Sequence, residues 1–414
     1  MSSLQPVRGT HDLLADEHRL HRLVCETAHD IALRYGYHEI STPIFESTDV
    51  FARTLGETSD IVTKEMYTFE DRNGDSITLR PEYTAGIARM LMSNGLYHNL
   101  PLKTFARGPM FRRERPQKGR QRQFHQIDVE ILGVADPQAD VEVISLGAHI
   151  LGALGLSADI KLELNSLGDT ESRQVYRRQL VEYFSDHREH LSDDSLMRLE
   201  KNPLRILDSK DRGDREIVKG APLLAGSLNA LSEDFFASVK EGLTAVGIGF
   251  ELNAYLVRGM DYYCHTAFEF TTTTLGAQGA VLAGGRYDGL VETMGGTPTP
   301  GIGWAAGVER LAMMAGTPPP APRPIVIVPV GSETIPQARK VCHLLRHSGF
   351  TVDLGFSGNV KKRLNRANKA NAVAAVLLGE DELANGTVTV RDMETGEQAE
   401  IPLSSLEEHL SRHR

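Results

Sequence analysis

The segment Thr317-Pro-Pro-Pro-Ala-Pro-Arg-Pro324 divides this 414-residue chain. Five of its eight residues are proline. Each proline fixes φ and removes a backbone donor, so the segment is neither helix nor central strand and reads as a stiff extended linker. The stretches on either side must then fold around separate cores. The predicted division is residues 1–324, ending in the linker 317–324, and residues 325–414.

The two parts carry different patterns. After the linker, strands at Ile325–Val330, Thr351–Leu354 and Ala372–Leu378 alternate with helices at Ile335–His347 and Asn359–Ala370. That alternation predicts βαβ units and a mainly parallel sheet. Val388–Val390 and Ala399–Ile401 read as a hairpin, and Leu403–Leu410 as a closing helix. Before the linker, one helix at Glu17–Tyr35 precedes a run of strands: Glu39–Ile44, Met66–Glu70, Ser76–Leu79, Thr104–Arg113, Gln123–Leu132, Ile160–Asn165, Phe250–Val257, Cys264–Phe270 and Ala280–Ala283. Short turns such as Arg72-Asn-Gly-Asp75 favour hairpins. The expectation is an α+β fold: a large antiparallel sheet with flanking helices. Residues 170–230 read as a helical insertion, with a polar loop around 208–214.

Three cysteines, Cys25, Cys264 and Cys342, lie far apart and form neither a metal spacing nor a disulfide framework, so a reducing cytoplasm is expected. No apolar run reaches the ~18–20 residues that span a membrane. The first residues lack an apolar signal core. Residues 325–414 hold 11 basic and 11 acidic side chains, so the whole net charge of -10 falls in residues 1–324. A nucleic acid would have to be met by local basic patches.

One such patch opens the stretch from Arg112 to Glu130, where six of the first eleven residues are Lys or Arg. Arg113, Arg115, Lys118, Arg120 and Arg122 cannot all pair with Glu114, which favours a bound anion over a solvated hairpin tip. Arg112 closes a strand on the same face as Ala106, Gly108 and Met110, placed to clamp a phosphate. The stretch then alternates: Phe124, Gln126, Asp128 and Glu130 face one way, and Ile127, Val129 and Ile131 the other. The first set is either a wet face or a ligand floor, and the aromatic favours the floor.

Further candidates are spread widely. In Leu79-Arg-Pro-Glu-Tyr-Thr84, Thr84 either caps the helix that follows or meets a ligand with Glu82. In Leu256-Val-Arg-Gly-Met-Asp-Tyr-Tyr-Cys-His265, Arg258 and Asp261 form a surface ion pair or Arg258 serves a site. Gly301-Ile-Gly-Trp-Ala-Ala-Gly-Val-Glu-Arg310 resembles a loose dinucleotide fingerprint, but the linker stands where the required acidic residue belongs. Its glycines would instead let backbone approach a nucleotide, with Arg310 facing phosphate. After the linker, Lys361, Lys362, Arg363, Arg366 and Lys369 share a helix, with no acid between Gly355 and Gly379. That face is either merely solvated or meets nucleic acid.

Taken together these motifs resemble the histidyl-tRNA synthetases, a class II aminoacyl-tRNA synthetase family, from Arg8-Gly-Thr-His-Asp-Leu-Leu14 to the last helix. Gly36–Ile44 is similar to the family's motif 1, Phe111–Glu130 to motif 2 and Gly301–Arg310 to motif 3. Leu256–Tyr263 and Ala283–Gly289 are similar to its two histidine signatures. The resemblance implies a class II antiparallel sheet with flanking helices and a C-terminal α/β anticodon-binding domain. It implies ATP-dependent activation of L-histidine and transfer to tRNA-His, with Mg²⁺ carried by ATP, in a homodimer formed around Pro43. Arg112 and Arg258 would be catalytic. Glu82, Thr84, Gln126, Glu130, Tyr262, Tyr263 and Tyr287 would bind histidine. Arg112, Glu114, Arg120, Phe124 and Arg310 would bind ATP, and Arg115, Gln117, Lys361, Lys362 and Arg366 tRNA. The alternative is a histidine-binding regulatory paralogue of ATP phosphoribosyltransferase; such paralogues typically lack the C-terminal domain.

Overall fold

The computed structural model describes residues 4–413 apart from 57, 58, 118, 208 and 276–278. The chain separates within the proline-rich segment into two compact units, Met1–Pro319 and Pro320–Arg414.

The first unit is built on an eight-stranded sheet. Its order is His38–Ile40, Leu102–Phe111, Gln123–Leu132, Gly301–Gly307, Ala280–Arg286, Cys264–Thr271, Lys161–Ser166 and Glu251–Leu252. The inner pairings are antiparallel and the two outermost are parallel. The expected α+β class is therefore the observed one. Gln123–Leu132 shows why the sheet has this register. Ile127, Val129 and Ile131 pack with Val24 and Ile31 of the helix Ala15–Arg34, and with Val143, Ile144 and Ile150 of the helix Gln138–Ala153. Burying each such side chain is worth about 1.5–3 kcal/mol. A one-residue slip would drive Gln126, Asp128 and Glu130 into that core instead, so the register is strongly set. The opposite face is left for Phe124, Gln126 and Glu130.

Several sequence expectations change. Glu39–Ile44 is not one strand: His38–Ile40 joins the large sheet, and Phe45–Ser47, after Pro43, joins a small sheet with Tyr67–Glu70 and Ser76–Leu79. Proline at 43 offers no donor to continue the first ladder. Phe250–Val257 is reduced to Glu251–Leu252. Asn253 ends it, its side-chain oxygen accepting from the Tyr255 backbone N–H at 3.1 Å, an Asx turn that competes with the ladder. The helix Gln138–Ala153 and the strand Gly301–Gly307 were not foreseen.

Residues 170–230 are helical as expected. The helices Thr170–Asp186, Asp193–Lys201 and Arg212–Val218 close over Tyr176, Leu180, Phe184, Leu199 and Ile206. The polar run read as a loop instead starts a helix. Asp211 caps it through the backbone N–H groups of Gly213 and Asp214, and Asp214 accepts hydroxyls from Ser192, Ser195 and Ser209. Asp208 lies outside the described residues.

In the second unit, Val352–Leu354, Ile325–Pro329 and Ala374–Leu378 pair in parallel. Thr387–Asp392 and Gln398–Pro402 complete the sheet antiparallel. This is the predicted βαβ pattern and hairpin, with one unforeseen short helix, Glu380–Asn385. Among the described residues no helix is long and apolar enough to cross a membrane.

Candidate active site

A cleft of about 500 Å³ opens on the polar face of the large sheet. It gathers residues from distant parts of the first unit: Glu82, Thr84, Arg112, Glu114, Arg120, Phe124, Gln126, Glu130, Arg258, Tyr263, Tyr287 and Arg310 all line it.

Its carboxylates are held by the protein itself. Glu82 accepts from the backbone N–H groups of Thr84 at 2.7 Å and Ala85 at 2.9 Å. The cap of the helix Thr84–Ser93 is thus Glu82, and Thr84 is released to donate its hydroxyl to Glu130 Oε1 at 2.6 Å. Tyr287 donates to the other Glu130 oxygen at 2.5 Å. Burial pushes the Glu130 carboxyl up to about 8, against these two hydroxyl donors, and Glu82 adds to the rise. Burial also raises Glu82, against its own N–H donors. Beside them the buried Gln126 side-chain oxygen makes no hydrogen bond among the described residues, leaving an acceptor for a ligand.

The glycines read as a nucleotide fingerprint serve this cluster. A Cβ on Gly303 would stand 1.6 Å from Glu130 Oε2. One on Gly301 would stand 2.1 Å from the Tyr287 ring. These positions make room for a carboxylate and a phenol, so backbone approach to a phosphate is not what they are needed for.

The arginines are held differently, by backbone carbonyls and acids. Arg112 follows the strand Leu102–Phe111; its Nε donates to Pro81 O at 2.9 Å, and its guanidinium lies 5.3 Å from the Phe124 ring centroid. Arg120 pairs with Glu114 at 3.0 Å, across a loop closed by backbone bonds between Gln117 and Arg120. Arg310 donates to Gly119 O at 3.2 Å and to Ala280 O at 2.5 Å. Burial lowers its basicity, with Arg120 adding to the effect. Arg258 is ion-paired with Glu269 and lies 5.5 Å from the Tyr263 ring centroid. Burial opposes its charge, but Glu269 together with Tyr263 and Tyr262 outweighs burial and holds the guanidinium more basic than usual.

Not every expected residue reaches the cleft. Tyr262 packs against Tyr263 and Tyr287 and lines a neighbouring cavity. Asp128, on the same strand face as Gln126, is buried without a hydrogen-bond partner among the described residues and does not line the cleft. Burial, then Glu130 and Glu82, raise its carboxyl well above the usual range. Asp261 does not pair with Arg258; it accepts from Asn202 at 2.9 Å and meets Arg205 of the insertion at 3.2 Å. Arg115 and Gln117 are exposed on the loop, and Lys118 lies outside the described residues. Burial pushes the Cys264 thiol up to about 12, so it is no nucleophile near neutral pH. In the second unit, Lys361, Lys362 and Arg366 are exposed on the helix Val360–Lys369, and none of them has an acidic partner among the described residues.

Sequence reasoning missed Glu269, Glu163 and Asn253, which also line the cleft. Glu269 and Glu163 are opposed across the strands Cys264–Thr271 and Lys161–Ser166, a pairing no local pattern reveals.

Residues 9–311 match the family model of the histidyl-tRNA synthetases. The chain belongs to that family. Residues 324–413 match an anticodon-binding domain. The histidine–tRNA ligase of Rhodospirillum rubrum is 63% identical over 413 residues, covering 100% of both chains. That of Gluconacetobacter diazotrophicus is 54% identical over 411 residues, covering 99% of both. The apo crystal structure of the Staphylococcus aureus histidyl-tRNA synthetase superposes with a TM-score of 0.83 at 34% identity, over 98% of this chain and 99% of that one. The activity is accordingly that of a histidine–tRNA ligase, an aminoacyl-tRNA synthetase, rather than of a regulatory paralogue.

Proposed function

We propose that the cleft activates histidine with ATP through the residues described above and then passes the acyl group to tRNA-His. The observation that carries this reading is the meeting, in one cleft, of a buried carboxylate cluster with four arginines. Glu82 and Glu130 suit the α-ammonium and imidazole N–H of histidine, with Thr84, Gln126, Tyr263 and Tyr287 around them. Tyr262 supports Tyr263 from behind. Phe124 stacks on adenine, Arg112 meets the α-phosphate and Arg310 the γ-phosphate end, with Glu114 and Arg120 fixing the loop over the nucleotide.

The histidine carboxylate oxygen attacks the α-phosphorus in line; the new O–P bond forms as the bond to pyrophosphate breaks. This step needs positioning and charge neutralisation, which Arg112 and Arg258 supply, rather than a protein nucleophile. The terminal ribose hydroxyl of tRNA then takes the acyl group and AMP leaves. For Mg²⁺, the opposed carboxylates Glu163 and Glu269 offer the oxygen donors that a hard cation prefers. Bound there with ATP, it would neutralise phosphate charge.

Arg115 and Gln117 approach the tRNA acceptor end, and Lys361, Lys362 and Arg366 of the domain 325–414 meet the anticodon region. Pro43, Ile44 and Phe45 are consecutive exposed residues; Ile44 is 43% and Phe45 58% exposed. They suit burial against a second copy. A cytoplasmic location belongs to the same reading, and the free thiols of Cys25, Cys264 and Cys342 suit a reducing compartment.

Histidine-dependent ATP–pyrophosphate exchange tests the reading. The purified chain should catalyse it, and a chain lacking residues 325–414 should keep exchange while losing aminoacylation. Absence of exchange refutes the reading; lost exchange with retained aminoacylation in the shortened chain refutes the division of labour.

A further inference from the structure

A second cluster, given no role in that chemistry, adjoins the cleft and shares Glu309 with its lining. His21 comes from the helix Ala15–Arg34, His125 from the strand Gln123–Leu132 and Glu309 from the helix Val308–Met314. One ligand atom from each lies within 4.8 Å of the other two. His125 Nδ1 and Glu309 Oε1 share a hydrogen bond at 2.9 Å, and the His125 backbone N–H holds both Glu309 oxygens, at 2.9 and 3.0 Å. The carboxylate is therefore already oriented by a group that a metal would not displace. The His21 ring stands perpendicular to that of His125, with centroids 5.4 Å apart.

His21 is the unexplained member. It is only 7% exposed, yet its ring makes no hydrogen bond among the described residues. Burial lowers its pKa, and His125 lowers it further while Glu309 opposes the change. Burial thus favours the neutral imidazole, the form that ligates a metal. His11 and Glu17, 3.0 Å apart, lie near enough to act on His21 electrostatically, in opposite directions.

We propose that His21, His125 and Glu309 bind a divalent transition metal of the zinc class. Two imidazoles and one carboxylate are a donor set that suits zinc and disfavours the all-oxygen preference of Mg²⁺. Tetrahedral zinc places its ligand atoms about 3.4 Å apart, so the cluster closes by roughly 1 Å on binding. The metal replaces the hydrogen bond between Nδ1 and Oε1, the His125 imidazole carrying its proton on Nε2. Water takes the fourth position, reached from the exposed side of His125, which is 29% accessible. The metal would tie the first helix to the neighbours of Phe124 and Gln126 and to the turn that carries Arg310. It would stiffen the nucleotide side of the cleft.

The test is titration of the untagged, chelator-treated full chain with Zn²⁺, without ATP, followed by calorimetry and thermal unfolding. Co²⁺ in its place gives visible absorption bands that report coordination directly. One equivalent should bind and raise the melting temperature with metal concentration. His21→Phe keeps the ring volume and should weaken binding at least about 10-fold while leaving metal-free exchange unchanged. Wild-type affinity in His21→Phe, or no single-equivalent event in the parent, overturns the proposal. So does an equivalent that survives His21→Phe and vanishes with His347→Ala, because His343 and His347 form another imidazole pair, with ring centroids 4.1 Å apart.

Discussion

Glu82 and Glu130 on one hand, and Arg112, Arg258 and Arg310 on the other, line the same cleft but are prepared in opposite ways. The carboxylates are satisfied before any ligand arrives, by two backbone N–H groups and two hydroxyls. They are buried so completely that their charge is resisted. The arginines stay charged and are anchored through backbone carbonyls or, for Arg258, through Glu269. The carboxylate cluster is rigid and suits recognition of a small cationic ligand. The arginines suit a phosphate. Under the proposed function, selectivity and charge neutralisation fall to different groups.

The largest effect should come from the arginines. Arg258→Ala removes the cation proposed to meet the reacting phosphate and should lower kcat for exchange by about 10²–10³-fold, the usual scale for a lost donor at developing charge. Full exchange in that variant would break the comparison. Next, Gly303→Ala should push Glu130 out of place. The histidine KM should rise roughly 10–100-fold, the worth of charge-assisted hydrogen bonds at about 1.5–3 kcal/mol, with little change in the KM for ATP. Equal losses for both substrates would show that the glycine serves the nucleotide after all.

A smaller effect concerns protons. The Glu130 carboxyl of the free protein sits at about 8, so it is largely neutral near pH 7. An α-ammonium beside it favours the carboxylate and lowers that value. Binding below about pH 8 must then release a proton, and histidine affinity should rise with pH before levelling off, by at most about tenfold per pH unit. Calorimetry in two buffers of different ionisation enthalpy measures the release. A Glu130→Gln variant should show none, and release unchanged in that variant would move the titration elsewhere.

How far the sequence revealed this depends on the distance over which each feature is encoded. Gln123–Leu132 was legible because its period-two pattern is local and the core enforces it. The βαβ order after the linker was legible for the same reason. Asn253 was not, because one side chain accepting from Tyr255 ended an otherwise strand-like run. Gly303 was misread because its reason is Glu130, on the neighbouring strand. Glu269 carried no signal: a single glutamate in a strand becomes meaningful only when folding brings Arg258 against it. Tyr262 and Tyr263 look alike in sequence, and only their packing separates them: Tyr263 lines the cleft and Tyr262 the neighbouring cavity.

The measurement that tests the account most directly is exchange kinetics with each substrate varied in turn, for Tyr287→Phe and Arg310→Gln. Tyr287→Phe removes one hydrogen bond to Glu130, so it should raise the histidine KM about tenfold and leave that for ATP unchanged. Arg310→Gln should do the converse. Parallel shifts of both constants in both variants would contradict a cleft whose carboxylates and arginines have separate tasks.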